Sequence, residues 1–298
     1  MEDIIKNPIN YSGSKFRILN LIKDNLPTNC NTIIEPFGGT FEVSLNLSFN
    51  RRIYNDKNYY LYNLISMFKR LDNNFILETL DSVIKEWNLS KTNKDEFYKF
   101  REHFNKYNYI DLYSSDVKER DESFIKLLAL IYHSFNYFIT INKDGQYINT
   151  SGYNKSWFNP CLRQKLVKYQ DAIKQKVNEI YYMDFANFYK IITDNVNLEN
   201  TFFFVDPPYL ITEDIYSRSY GLKWTQQDEI DLYKMLDDIN IRGGKFMLTN
   251  QLTKGNQTNN LLQEFSKKYK VIDTNVDFTG CSYQHSKKNT QEIIVKNY

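Results

Sequence analysis

The segment Phe202-Phe203-Phe204-Val205-Asp206-Pro207-Pro208-Tyr209 joins an apolar run to an acid, two prolines and an aromatic ring. Proline fixes φ and cannot donate to a ladder, so the chain after Asp206 must leave any sheet in a stiff, extended turn. A carboxylate, a carbonyl without ladder partners and a ring then stand together at the carboxyl end of a strand, where open α/β sheets bind their ligands. That set suits a planar amine. Asp206 and the Pro207 carbonyl each accept one N–H, Pro208 keeps the corner rigid, and Tyr209 stacks on the ring that carries the amine. A strand-ending turn with a packed tyrosine is the plainer reading of the same string.

A second group lies upstream. Ile33-Ile34-Glu35-Pro36-Phe37-Gly38-Gly39-Thr40 reads as a strand, a glycine turn and the start of a helix over Phe41 to Leu47. Gly38 and Gly39 permit close backbone approach to a ligand, and Glu35 puts a carboxylate at the strand end. No G-x-G-x-x-G is present, so this is not the usual dinucleotide fingerprint. Arg52-Ile53-Tyr54-Asn55-Asp56 ends another strand in an acid about 20 residues after the glycines, the spacing at which such folds bind ribose hydroxyls. An exposed turn aspartate has the same signature.

The elements that must position these groups are legible as short β-branched or aromatic runs: Asn31 to Phe37, Arg51 to Asn55, Glu179 to Met183, Thr201 to Val205, Gly244 to Thr249 and Gln291 to Lys296. Helical patterns over Phe16 to Asn25, and over Gln226 to Ile239 after the cap Thr225, alternate with them and predict a mostly parallel α/β sheet. The middle breaks the alternation. Tyr59 to Leu71, Asn74 to Lys85, Asp95 to Asn105 and Ser123 to Phe135 read as helices, followed by a hairpin turn at Asp144-Gly145. This predicts a split α/β domain over 1–57 and 164–298 with a helical insertion over 58–163.

Composition narrows the class. The 298 residues, 42% hydrophobic, suffice for a large core, and no apolar run approaches the roughly 20 residues needed to cross a bilayer. Met1 to Asn10 lack the apolar centre of a secretory signal, which predicts a cytoplasmic protein without membrane attachment. Cys30, Cys161 and Cys281 are too scattered for a disulfide framework or a zinc cluster, and His103, His133 and His285 are not spaced as a ligand set. No metal is expected. The net charge of +2 hides an asymmetry: Thr140 to Lys176 carries seven Lys or Arg against two acids, while Val196 to Ile241 carries nine acids against three bases. One basic stripe on a near-neutral chain suits a polyanion docked on one side, although two solvated faces would look alike.

Taken together, these strings resemble the Dam-type, D12-class DNA adenine-N6 methyltransferases, in the motif order of the alpha group. Asn10-Tyr11-Ser12-Gly13-Ser14-Lys15 is similar to the family's amino-terminal motif, Glu35 to Thr40 to its cofactor motif, and Asp206 to Tyr209 to its catalytic motif. Phe97 to Asn105 resembles a helix of the target-recognition domain, and Glu292-Ile293-Ile294-Val295 the final strand. The resemblance implies a Rossmann-like class I S-adenosylmethionine-dependent methyltransferase sheet with an inserted, mainly helical target-recognition domain. It implies S-adenosylmethionine as cofactor, with Tyr11, Gly13 and Lys15 from the first motif contacting it. Glu35, Phe37 and Gly38 would line the methionine side, Asp56 the ribose, and Asp184 and Phe185 the adenine, with Asp206 nearby; Asp184 reads equally well as a helix cap.

The implied substrate is an adenine flipped out of double-stranded DNA, since the amine is out of reach inside a duplex. The family's recognition hairpin corresponds to about Asn136 to Tyr153, which makes Asn142, Lys143, Gln146, Tyr147 and Asn149 candidates for groove contacts. This segment is shorter than in GATC-specific members and lacks their base-reading arginine. The loop Tyr216 to Lys223 and the segment Tyr283 to Lys288 are further candidates for holding the DNA backbone or the flipped strand. The resemblance also implies a monomer, with a cognate restriction endonuclease as a possible counterpart acting on the same site without a stable complex. Cytosine-N4 methylation, adenine-N6 methylation of RNA, and a catalytically silent DNA-binding protein are the alternatives.

Overall fold

The computed structural model describes residues 4–11, 13–212, 223–275 and 290–298, which divide into two compact units. One holds 4–11, 13 and 63–176; the other holds 14–62, 177–212, 223–275 and 290–298.

The second unit is a mixed α/β structure built on one sheet. Its strands are β1 (Thr32–Glu35), β2 (Arg51–Asn55), β3 (Glu179–Tyr181), β4 (Thr201–Val205), β5 (Lys245–Lys254), β6 (Gln257–Thr258), β7 (Lys270–Asp273) and β8 (Thr290–Lys296). They are ordered β3-β2-β1-β4-β5-β8-β7, with β6 paired to β5. From β3 through β5 all pairings are parallel, and β8 and β7 close the sheet antiparallel. Each strand expected from sequence forms. β6 and β7 were not expected: β6 is two exposed residues, and β7 is a mostly exposed four-residue edge strand without apolar alternation.

Burial on both faces explains why Thr201–Val205 is a continuous apolar run rather than an alternating one. Ile34, Phe203, Val205, Phe246 and Leu248 face the helices Phe185–Ile192, Gln226–Ile241 and Asn260–Ser266. Ile33, Phe202, Phe204 and Met247 face Ile18, Leu19 and Ile22 from the turn Lys15–Ile18 and the helix Leu19–Asp24. Thr225 caps Gln226–Ile241 as expected, and the structure adds a reciprocal capping box with Asp228. The order reverses between β1 and β4, so the parallel carboxyl ends of β1, β2 and β4 bring Glu35, Asp56 and Asp206 to one edge.

The other unit is mainly helical: Asn73–Glu86, Lys94–His103, Val117–His133 and Pro160–Lys176, with the later part of Tyr59–Arg70. Val117–His133 is its core helix, buried almost continuously from Asp121 to His133. Asp121 is buried there, and the Arg70 guanidinium bonds both its oxygens at 2.6 Å. Pro160–Lys176 belongs with these helices.

Candidate functional site

Glu35 ends β1 as a buried carboxyl that accepts the Ser44 N–H at 2.9 Å and the Ser44 hydroxyl. Burial pushes its pKa up to about 8 against the pull of Ser44, and the charges of Asp206 and Asp56 act in the same direction as burial. Glu35 therefore lies close enough to feel both of the other carboxyls. The turn that follows lies directly on a ring. Gly38 donates its N–H to the Asn55 carbonyl at 2.7 Å, and a Cβ there would lie 2.3 Å from the Tyr54 ring. Only glycine lets the loop lie on that ring.

Asp56, just past β2, locks the same loop from the other side. Its carboxylate accepts the Gly39 N–H and the Asn58 N–H, both at 2.7 Å, and burial raises its pKa to about 6. Flanking it are two buried polar atoms without hydrogen-bond partners among the described residues, Oδ1 of Asn55 and Nδ2 of Asn58. Buried orphans of this kind are rare and mark a place where a partner is missing. Phe37 lies with its ring 5.3 Å from that of Phe185. Asp184 caps the helix Phe185–Ile192 by accepting the Ala186 N–H at 3.0 Å, and it meets Lys57 at 3.2 Å. Capping is thus part of its work whatever else it contacts.

At the end of β4, Asp206 is held on three sides. Lys15 Nζ approaches Oδ2 at 2.7 Å, the Thr249 hydroxyl donates to Oδ1 at 2.7 Å, and the Tyr209 hydroxyl reaches Oδ1 at 3.4 Å. The Tyr209 hydroxyl also donates to Glu292, which lies 3.7 Å from Lys15, and Lys15 Nζ sits 5.2 Å from the Tyr209 ring centroid. Burial alone would lower the pKa of Lys15, but Asp206 and Glu292 outweigh it and hold the ammonium above its ordinary value. Burial, reinforced by the Asp206 and Glu292 charges, keeps Tyr209 a neutral phenol and hence a donor. A carboxylate offers about four lone-pair sites, so against its three donors among the described residues Asp206 keeps capacity for one more N–H.

The model of the D12 class N6 adenine-specific DNA methyltransferases matches residues 11–278. The chain belongs to this family. It is 32% identical to the type II methyltransferase M.FokI of Planomicrobium okeanokoites over 296 residues, covering 99% of this chain and 43% of the relative. The modification methylase StsI of Streptococcus sanguinis is 30% identical over 301 residues, again covering 99% of this chain and 43% of the relative. A DNA adenine methylase of Serratia marcescens is 32% identical over 97 residues, which is 33% of this chain and 34% of that protein. The chain spans less than half the length of the modification methylases it matches.

Against the family's motifs, Glu35, Phe37, Gly38, Asp56 and Asp206 to Tyr209 all lie in the sheet unit, as do Lys15, Asp184 and Phe185. Tyr11 and Gly13 fall in the helical unit. Lys15 bonds Asp206 directly, a role that the first motif alone does not suggest. Thr249 and Glu292 were missed. Glu292 had a signal, a charged residue opening the apolar run Ile293-Ile294-Val295, which is costly unless paired; Thr249 had none.

In the helical unit, the expected turn forms at Asn142 to Gln146, with Gly145 at φ 80°. Lys143 and Gln146 are exposed at its tip. The other three candidates are committed to the scaffold. Asn142 accepts the N–H groups of Asp144 and Gln146, and the Asn149 amide donates to Ser134 and to the Phe135 and Phe138 carbonyls. Tyr147 is fully buried with its hydroxyl on the Phe138 carbonyl, so it has no edge to offer a base. Residues 216–222 and 283–288 lie outside the described residues.

Proposed function

We propose that this chain transfers a methyl group from S-adenosylmethionine to N6 of an adenine extruded from double-stranded DNA, on a Rossmann-like class I sheet with the helical unit as recognition domain. The observation that carries the reading is the Asp206-Pro207-Pro208-Tyr209 corner, with Asp206 oriented by Lys15 and Thr249 and electrostatically coupled to Glu35.

The residues fit the cofactor. Asp56 and the orphaned amide atoms of Asn55 and Asn58 offer acceptors and a donor to a ribose, Glu35 offers a carboxyl to an ammonium, and Phe37 and Phe185 offer apolar rings to a purine. When bound, S-adenosylmethionine supplies an electrophilic methyl group on a sulfonium. The chain's own part is orientation. Asp206 and the Pro207 carbonyl each accept one N–H of the amine, which turns its lone pair out of the ring plane. Tyr209, fixed by its bond to Glu292, supplies a face for the extruded base and offsets part of the few kcal/mol that unstacking costs. Lys15 holds the carboxylate in place, and proximity supplies much of the acceleration.

Expression in a host followed by single-molecule sequencing of its DNA tests this directly. N6-methyladenine in one sequence context, lost at least a hundredfold on Asp206→Ala in a folded chain, is expected at about the magnitude of other preorganised polar groups. Methylation of cytosine, or methylation that survives Asp206→Ala, overturns the proposal.

A further inference from the structure

The helix Gln226–Ile241 begins with a buried acid that the proposed chemistry does not use. Glu229 is wholly inaccessible, yet among the described residues it accepts four hydrogen bonds from three different stretches of chain. Its Oε1 receives the Tyr233 hydroxyl at 2.5 Å and the side-chain amides of Asn250 and Asn259, both at 2.9 Å. Its Oε2 receives one donor, the indole Nε1–H of Trp224 at 2.5 Å. A buried carboxylate with every contact a donor is costly to build and rigid once built, so each of its partners is held in one orientation.

What that rigidity fixes at the site is the Trp224 indole. The ring lies 5.6 Å from Phe37, edge to face, and 5.6 Å from Phe185. Trp224 is only half-buried, and with Phe37 and Phe185 it packs against the edge of the core on one face of the sheet. Phe37 precedes the Gly38 loop and Phe185 follows Asp184, so this wall of three touching rings borders both stretches assigned to the cofactor. Core packing alone would not call for a tryptophan whose N–H needs a buried acid.

We propose that Trp224 is the third ring of the wall against which the adenine of S-adenosylmethionine lies, and that Glu229 is a positioning residue acting through Trp224. The inference rests on the proposed function, because it presumes that cofactor. Its consequence is separable from catalysis: Trp224 sets cofactor affinity and leaves the transfer step alone.

The test uses the intact chain with Trp87→Phe and Trp157→Phe, so that Trp224 is the sole indole emitter, titrated with S-adenosylhomocysteine. A saturable change in Trp224 emission is expected, at the dissociation constant that calorimetry gives for the unmutated chain. Trp224→Ala weakens that binding about tenfold, the scale of a lost aromatic stack, and raises KM for S-adenosylmethionine with kcat unchanged. Trp224→Phe keeps a ring without the N–H and falls between; Glu229→Gln weakens binding in the same direction. Should Glu229→Gln fail to fold, the two Trp224 variants decide. Binding with silent Trp224 emission and unchanged affinity in Trp224→Ala overturns the inference alone. Absence of calorimetric binding by the unmutated chain overturns the proposed function and this inference with it.

Discussion

At the scale of single residues, Lys15 is the hinge between two acids. It lies 2.7 Å from Asp206 and 3.7 Å from Glu292, and all three are at least four-fifths buried. Removing the ammonium leaves two carboxylates facing each other in a poor solvent, so Lys15→Met should destabilise the chain by about 3–5 kcal/mol. Glu292→Gln removes one of the two stranded charges. The double variant should therefore be less destabilised than the sum of the singles, and a denaturant-unfolding cycle measures the difference; strict additivity would mean that the charges do not interact. Glu35 gives a second prediction. Its pKa is raised by burial to about 8, above an ordinary value near 4.5, so folding favours the protonated form. That contribution is complete below about 4.5 and is lost as pH rises toward about 8; Asp56, raised to about 6, loses its share earlier. Thermal unfolding of the ligand-free chain should decline across this window. The decline should flatten in Glu35→Gln, which keeps an acceptor for Ser44 but has no proton to lose. A profile identical to that of the unmutated chain would reject Glu35 as its source.

At the scale of elements, the strands were legible because β-branched and aromatic runs ended in turn residues, and the helix over Gln226–Ile241 because Thr225 announced its start. β7 was not legible, since Lys270–Asp273 is short, mostly exposed and pairs only at the sheet's edge. The helix Pro160–Lys176 has a sequence dense in Lys and Gln, which hides its buried stripe of Leu162, Leu166, Tyr169 and Ile173. The motif acids were readable, but the network behind them was not: Thr249 reaches Asp206 only because β5 lies beside β4, a fact of register rather than of spacing. The Gly38 turn shows the same division. Glycine there was expected for the approach of a ligand, whereas the structure shows that it is also required by the Tyr54 ring beneath. Gly38→Ala must push that ring aside, and overpacking of this kind costs roughly 1–3 kcal/mol. Moving Tyr54 also disturbs its hydroxyl bond to the Gly39 carbonyl at 3.0 Å. Stability and cofactor affinity should fall together in Gly38→Ala; a loss of affinity at unchanged stability would mean that the ligand, not Tyr54, demands the glycine.

At the scale of the whole molecule, charge is partitioned between the two units. The seven bases between Thr140 and Lys176 all belong to the helical unit, whereas Glu199, Asp206, Asp228, Glu229, Asp231, Asp237 and Asp238 belong to the sheet unit. A duplex is held mainly through its phosphates, so the helical unit is the part expected to carry the salt-dependent share of binding. Within it, burial separates exposed candidates from scaffold more sharply than the sequence could. Lys143 and Gln146 are exposed at the turn, whereas Tyr147, the residue after Gln146, is core. Tyr147→Ala should therefore act as a cavity mutation, costing about 3–5 kcal/mol of stability, and any loss of DNA binding should track unfolding. Lys143→Ala should leave the unfolding curve unchanged. If it meets a phosphate, binding to all duplexes weakens alike and the slope of log K against log salt falls by about one; if it meets guanine, discrimination at one position relaxes instead. Fluorescence anisotropy with matched and mismatched duplexes over a salt series separates these outcomes. A Lys143→Ala chain that binds every duplex with unchanged affinity and slope removes the turn from the DNA interface.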